Sequence, residues 1–334
     1  LMLAWKIGPA LASGNSVIVK PAEQTCLTAL RIAELAKDAG VPDGVFNVVL
    51  GHGNLIGKAI GMHNDIDMVS FTGSTATGKK FLVYSANSNL KNITLECGGK
   101  NPAIVFEDAE DLDSIAKHIV NGAFWNMGQN CSASSRLIVN KKIKDKLLKK
   151  IIARTREWKT GEPLNPIYNL GTLITKDHYK KVDRYLKIAK KEKLKLILGG
   201  STAEQKFVFP TIFECSGSQK NSKLIKEEIF GPILTITTVE SDAEAISLAN
   251  NTPYGLTASI FTANNKKAIG AARDIKAGTV TVNCFGEGDS STPFGGFKQS
   301  GFGGRDNGIY AHDQYTNIKT IWFDLNDTKS EEIV

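Results

Sequence analysis

Two side chains in this sequence have the chemistry of a nucleophile and its base. Cys131 sits in Asn126-Met127-Gly128-Gln129-Asn130-Cys131-Ser132, a Gly-bearing turn after a predicted helix. A partly exposed thiol in such a turn suits attack on a carbonyl, because the thiolate is a strong nucleophile near neutral pH. A lone cysteine also serves as a small buried hydrophobe, and position alone leaves both readings open. Glu96 sits in Leu95-Glu96-Cys97-Gly98-Gly99-Lys100, at the end of a predicted strand. A carboxyl there, close to apolar walls, has a raised pKa and can act as a general base.

Other segments could hold a nucleotide. Gly73-Ser74-Thr75-Ala76-Thr77-Gly78 lies between a predicted strand and a helix. Backbone N–H groups at a helix N-terminus attract phosphate. The spacing is neither the GxGxxG fingerprint nor a P-loop, so an ordinary strand-to-helix turn is the competing explanation. In Val19-Lys20-Pro21-Ala22-Glu23, a Lys and a Glu follow a strand, where they could hold ribose hydroxyls. An acidic residue at the ribose favours NAD over NADP. Glu227-Glu228-Ile229-Phe230-Gly231-Pro232 and Pro293-Phe294-Gly295-Gly296-Phe297-Lys298-Gln299-Ser300-Gly301 set Gly and Pro beside aromatics, as loops lining a cleft often do.

These segments need elements to position them. Strands are predicted near 16–20, 45–50, 68–72 and 93–97, with helices near 25–38, 54–61 and 74–86 between them. A second alternating run starts near 103–106 and continues through a helix at 113–126 and a strand at 136–139. Strands at 194–198, 234–239, 257–261 and 278–283 follow, with helices at 244–250 and 266–274. Strands alternating with helices through short links predict parallel sheets covered on both faces. The fold class is therefore α/β, in two units with a boundary near Gly98–Lys100.

The chain has 334 residues, 42% hydrophobic and 22% charged, which excludes disorder, collagen and coiled coil. At ~150 residues per domain, that length suggests about two domains. The net charge is +7, but residues 141–200 alone carry 18 Lys and Arg against 6 Asp and Glu. In that block Ile143, Leu147, Ile151 and Val182, Tyr185, Leu186, Ala189 recur at helical spacing, which predicts two amphipathic helices with solvated Lys faces. No nucleic-acid module and no apolar run of membrane-spanning length is expected. Cys26, Cys97, Cys131, Cys215 and Cys284 form no CxxC pair, which predicts a reducing compartment, no disulfides and no metal site.

Taken together and in this order, LECGGK (95–100), GQNC (128–131), EEIFGP (227–232) and PFGGFKQSG (293–301) make the chain resemble the NAD(P)-dependent aldehyde dehydrogenases over residues 1 to about 325. The final segment, on to Lys319-Thr320-Ile321-Trp322, is similar to the aminoaldehyde oxidisers, in particular the γ-glutamyl-γ-aminobutyraldehyde dehydrogenase group. The resemblance implies an incomplete Rossmann-type NAD-binding domain (1–98), an α/β catalytic domain (99–299) and a return to the cofactor domain with an oligomerisation strand (300–326, strand about Asn317–Asp324). Cys131 would attack the aldehyde to form a thiohemiacetal and then a thioester, and Glu96 would activate the hydrolytic water. Lys20 and Glu23 would contact the adenine ribose, Gly73 and Ser74 the pyrophosphate, and Glu228 the nicotinamide ribose, with Phe230 packed nearby. Asn283 would fall near the substrate channel.

Glu287 and Asp289 fall where the family lines its tunnel mouth, and carboxylates there would favour a cationic aldehyde. Phe124 and Trp125 would flank the tunnel and stack on an ammonium group. Solvated acids and core aromatics are the alternative. The resemblance further implies a homodimer or homotetramer, and the expected location is cytoplasmic. The chain opens on Leu1, so it is expected to be cut from something longer. The family's oxyanion Asn, whose loss typically costs ~10²–10³ in rate, would lie upstream. Two alternatives stay open: a chain that is non-catalytic alone, and a CoA-acylating or semialdehyde variant, against which Glu96 argues by supplying a base for water.

Overall fold

The computed structural model describes residues 1–204, 206–286 and 288–324. The first part of the chain runs α1 (Met2–Ala12), β1 (Val17–Val19), α2 (Cys26–Asp38), β2 (Phe46–Val48), α3 (Lys58–Met62), β3 (Met68–Thr72), α4 (Thr75–Ala86) and β4 (Asn92–Glu96). β1 and β2 pair in parallel, as do β3 and β4. The two pairs belong to separate sheets among the described residues. α4 covers β3 and β4 through a small core of Val69, Phe81, Ile93, Leu95 and Cys97.

At 97–101 the chain leaves this sheet for another. It continues through β5 (Pro102–Val105), α5 (Leu112–Phe124), β6 (Arg136–Asn140), α6 (Lys141–Glu157), α7 (Lys176–Lys191), β7 (Lys195–Leu198), β8 (Thr202–Ala203), β9 (Phe207–Val208) and β10 (Thr211–Cys215). Then come α8 (Lys223–Lys226), β11 (Ile233–Val239), α9 (Asp242–Asn250), β12 (Thr257–Phe261), α10 (Asn265–Asp274), β13 (Thr279–Val282), β14 (Gly301–Phe302) and α11 (Gly308–Asp313). β8 and β9 form a small antiparallel pair. The main sheet has seven strands in the order β13-β12-β5-β6-β11-β10-β7, all pairs parallel except β10 with β7.

The alternation of a strand explains how both faces of this sheet are covered. Ala103, Val105, Leu137, Val139, Leu234 and Ile236 face one core with α5 and α6. Ile104, Ile138, Ala258 and Ile260 face the other with α9 and α10. The Lys-rich helices are amphipathic, as their spacing predicts: Leu147 and Ile151 of α6, and Val182, Tyr185 and Ala189 of α7, are buried. Their outer lysines meet acids, including Lys141 with Glu240 and Lys150 with Asp113 at 2.5 Å. β14 returns to the first part of the chain, pairing antiparallel with β4.

Three features differ from expectation. The helix at 113–126 stops at Phe124, because Asn126 and Met127 take left-handed backbone angles. α1 and β10 carried no clear signal: α1 is apolar almost throughout, and β10 sits beside Pro210. The strand expected at Asn317–Asp324 is absent; this segment has no regular structure, and Ile318, Trp322 and Phe323 are exposed.

Candidate active site

α5 ends in a sharp turn that carries the thiol. Asn126, Met127 and Gly128 have φ of 53°, 61° and 65°. Asn tolerates this region, and its Nδ2 donates to the Gln129 carbonyl at 2.9 Å. Met127 is buried in the core under α7, which holds its disfavoured backbone in place. At Gly128 a Cβ would stand 2.4 Å from the Gly231 carbonyl oxygen, so that position needs glycine for space as well as for angle. Cys131 follows, half-buried, its thiol 3.8 Å from Asn130 Oδ1.

The segment 96–101 ties this turn to the carboxyl. Glu96 ends β4 and is 8% exposed, with its Oε2 unbonded. Burial, then the negative charge of Asp306, raise its pKa to about 8, while Lys6 and Arg305 oppose the shift. Lys6 Nζ donates to Asp306 Oδ2 at 3.2 Å, and Gln314 Nε2 donates to Asp306 Oδ1 at 3.1 Å. A Cβ at Gly295 would stand 2.7 Å from Glu96 Oε1, so the Gly295-Gly296 loop closes directly over the carboxyl.

Each residue after Cys97 is then pinned. Ser300 Oγ donates to the Gly98 carbonyl at 2.7 Å, and the Gly99 N–H donates to Glu228 Oε1 at 3.1 Å. Arg136 Nε donates to the Lys100 carbonyl at 2.8 Å. Asn101 Nδ2 donates to the Cys131 carbonyl at 2.7 Å and the Ala133 carbonyl at 3.1 Å, and its Oδ1 accepts from the Thr257 N–H at 3.1 Å. One segment thus fixes the base and the nucleophile's backbone. A Cβ on Gly98 would fall 2.1 Å from Glu228 Oε2, so the carboxylate occupies the space a side chain would need. Burial raises the pKa of Glu228, opposed by the Gly99 N–H and the charges of Lys181 and Lys100.

The expected cofactor residues of the first part of the chain follow the carboxyl ends of the parallel strands β1 and β3, where open α/β sheets bind ligands. Lys20 follows β1; its Nζ donates to the Pro21 carbonyl at 2.7 Å and lies 3.7 Å from Glu23 Oε1. Glu23 Oε1 accepts from the Gly53 N–H at 2.8 Å, and backbone N–H groups hold its pKa down. Gly73 and Ser74 are exposed after β3, and Ser74 Oγ caps α4 by accepting from the Thr77 N–H at 3.3 Å. Glu228 and Phe230 lie on the loop before β11, with Glu228 against Gly98 and Gly99. Phe230 has φ of 60°, and its carbonyl is bonded by His178 Nε2 at 2.6 Å. These groups fit a dinucleotide: an open helix N-terminus for phosphate, an acid and a lysine for a ribose, and a buried carboxylate beside the nucleophile's segment.

The expected substrate residues fare differently. Phe124 is fully buried among Val105, Ile119 and Leu137, so it is a core residue and lines no tunnel. Trp125 is 51% exposed beside the turn. Asn283 spends its side chain on backbone: its Oδ1 accepts from the Thr262 N–H at 3.0 Å and its Nδ2 donates to the Thr262 carbonyl at 2.9 Å. It anchors the end of β13 through both polar atoms of its amide. Asp289 is exposed and folds onto its own loop, accepting from the Ser291 N–H at 2.7 Å. Glu287 lies outside the described residues.

Sequence reading missed Lys6, Asp306, Asn101, Ser300 and His178. Asn101 directly follows the Gly98-Gly99-Lys100 run, and Ser300 lies inside the Pro293–Gly301 segment, so both had a positional signal. Lys6, Asp306 and His178 had none. Among the described residues no group of His, Cys, Asp and Glu is placed to hold a metal, and no helix is long and apolar enough to cross a membrane.

Comparison with known proteins gives this geometry a context. Residues 1–321 match the model of the aldehyde dehydrogenase family. The chain is 59% identical over 326 residues to the aminoacetaldehyde dehydrogenase of Pseudomonas aeruginosa, covering 98% of this chain and 65% of that protein. It superposes with a TM-score of 0.94 on an indole-3-acetaldehyde dehydrogenase solved with NAD+, at 45% identity, covering 97% of this chain and 66% of that one. The γ-glutamyl-γ-aminobutyraldehyde dehydrogenase of Burkholderia cenocepacia gives a TM-score of 0.92 at 45% identity, covering 96% and 64%. The chain spans about 65% of the length of the curated relatives it matches. The α/β architecture with its seven-stranded main sheet and a family match over nearly the whole chain place it in the aldehyde dehydrogenase family.

Proposed function

We propose that this protein oxidises an aldehyde to a carboxylic acid, with Cys131 as nucleophile and Glu96 as general base. The observation that carries the reading is the 96–101 segment, which holds a buried carboxyl of raised pKa at one end and the nucleophile's carbonyl at the other. Cys131 Sγ would attack the aldehyde carbon to give a thiohemiacetal, and loss of hydride would leave a thioester on the sulfur. Lys20, Glu23, Gly73, Ser74, Glu228 and Phe230 would hold NAD, which supplies a hydride acceptor when bound. Glu96 in its carboxylate form would take a proton from water, which then attacks the thioester and releases the acid. The water-activating base favours hydrolysis over transfer to CoA.

An aminoaldehyde is the proposed substrate. The names of two relatives support it, aminoacetaldehyde dehydrogenase and γ-glutamyl-γ-aminobutyraldehyde dehydrogenase. Asp289 adds support as an exposed carboxylate whose pKa is held down by Ser291. The 1–98, 99–299 and 300–326 partition is retained as a proposal, supported by the switch of sheets at 97–101 and the return of β14. Exposed Ile318, Trp322 and Phe323 support a homodimer or homotetramer, and five cysteines outside any disulfide support a cytoplasmic location.

The test is NADH production from aminoaldehydes by the native protein and by Cys131→Ala. The variant is expected to lose turnover entirely while keeping NAD binding. Retained turnover would remove Cys131 from the mechanism.

A further inference from the structure

The loop that closes over Glu96 is fastened at its far end to α9. The last carbonyls of a helix have no partner inside the helix and form its negative end. In α9 two cationic side chains take them. Arg136 Nη1 and Nη2 donate to the carbonyls of Leu248 and Ala249 at 3.1 and 3.0 Å. Lys298 Nζ donates to the carbonyls of Asn250 and Thr252 at 2.9 and 3.0 Å. Arg136 also holds the Lys100 carbonyl, so one helix end anchors both the 96–101 segment and the loop above it.

Lys298 sits at a strained point of that loop. Its φ of 52° is a region that residues with a Cβ avoid unless their surroundings hold them there. Its neighbours are bonded to backbone: the Phe297 N–H donates to the Gly255 carbonyl at 2.7 Å, and the Gln299 N–H to the Pro253 carbonyl at 3.0 Å. The left-handed residue turns the chain between these two bonds. Ser300 Oγ can then accept from the Gly255 N–H at 3.0 Å while it donates to the Gly98 carbonyl. On the other side of Phe297, a Cβ on Gly296 would stand 2.4 Å from Ser300 Cβ, and one on Gly295 2.7 Å from Glu96 Oε1. The loop thus reaches from the end of α9 to the carboxyl within residues 295–298.

We propose that Lys298 is a positioning residue for the base: its two bonds to the end of α9 hold the left-handed turn, and the turn keeps Gly295 seated on the Glu96 carboxyl and water away from it. The proposal rests on the reading of Glu96 as the general base. It assigns Lys298 no contact with substrate, cofactor or the reacting atoms. Asp306, Lys6 and Arg305 also act on Glu96, and Arg305 lies over the Phe297 ring at 5.6 Å, so it moves with the loop. Burial is the largest influence on the carboxyl, so its loss sets the direction of the effect.

The test follows the protonated Glu96 carboxyl across pH by its infrared C=O stretch, assigned by its disappearance in Glu96→Gln, beside the pH–rate profile of aldehyde oxidation. Both midpoints are expected at about 8 in the native protein. Lys298→Met keeps the stem and removes the donor. Both midpoints are expected to fall by about one pH unit, a tenfold weaker hold on the proton, with KM for NAD+ unchanged. Lys298→Arg, whose guanidinium can reach two carbonyls, is expected to recover most of the shift. Should Lys298→Met fail to fold, Lys298→Gln keeps an amide donor and is expected to show a smaller shift in the same direction. A merely structural lysine would lower the melting temperature and leave the midpoints in place. Midpoints that stay at about 8 in a folded variant, or that Lys298→Arg does not recover, would therefore overturn the proposal. An infrared shift in a protein whose native form turns over no aldehyde would uphold the positioning role and refute the dehydrogenase reading; native turnover with an unmoved infrared midpoint would sink the positioning role alone.

Discussion

Lys6 and Asp306 stand 300 positions apart in sequence and meet at 3.2 Å. Both charges act on the Glu96 carboxyl, Asp306 raising its pKa and Lys6 lowering it. The pair is nearly neutral in sum, so burial does most of the work of keeping Glu96 protonated at neutral pH. Asp306 then trims the value, and its substitution is the cleanest way to move it.

The first prediction follows from that arrangement. A base works deprotonated, so aldehyde oxidation limited by hydrolysis should rise with pH through about 8. Asp306→Asn removes the second cause of the raised pKa and frees the Lys6 charge. The rising limb of the pH–rate profile should move to lower pH, without reaching the usual carboxylate range, because the burial remains. A limb that stays in place would show that Asp306 does not tune Glu96.

Stability should carry the same signature. Burial carries the Glu96 carboxyl to about 8 in the folded state, against the ordinary 4.5 in the unfolded chain. Between those values the folded state holds a proton that the unfolded chain has lost, so stability falls as pH rises through this window. Glu96→Gln removes the dependence. Its unfolding free energy should exceed the native protein's above the window, by a difference on the order of a few kcal/mol, with a correspondingly higher melting temperature, and match it below. Melting curves taken across the window would decide this.

Lys100 gives the opposite sign. Its Nζ is buried without a hydrogen-bond partner, and desolvation lowers its pKa to about 7 from 10.5. The unfolded chain is protonated between those values and the folded state is not, so this group's contribution rises with pH and is lost as pH falls through about 7. Lys100→Met should therefore stabilise the protein most on the acid side of neutrality. Urea midpoints at several pH values would show the trend; a gain that grows with pH would contradict it.

Asn101 should matter for the scaffold of the thiol. Asn101→Ala breaks three buried hydrogen bonds, two of them to the carbonyls of Cys131 and Ala133. The expected cost is about 3 kcal/mol in urea unfolding, at about 1 kcal/mol each. Iodoacetamide should also alkylate Cys131 at a changed rate, since its backbone is released. A variant as stable as the native protein would show that the turn holds itself.

The parts of the site that lie within one stretch of chain were legible from residues. The Gly-bearing turn before Cys131, the strand end at Glu96 and the Ser74 cap each declare themselves through local backbone requirements. Contacts made by folding were not legible. Nothing near Lys6 in sequence points to Asp306, and nothing near His178 points to Phe230. Phe124 was misplaced for a related reason: an aromatic beside a catalytic turn looks the same in sequence whether it faces the tunnel or the core. Asn283 carries polar atoms that seem available until Thr262 is brought against them. The Asn317–Asp324 strand required a pairing edge that local sequence does not encode.

Gly98 and Glu228 share one small volume, since a Cβ on the first would lie 2.1 Å from the carboxylate of the second. Neither position is free to diverge alone. A side chain at 98 is admissible only where 228 has shortened or turned away, and an enlarged 228 is admissible only over a bare 98. Across an alignment of relatives the two positions should therefore change as a pair, and a single change at 98 should survive in the laboratory only alongside a second change at 228.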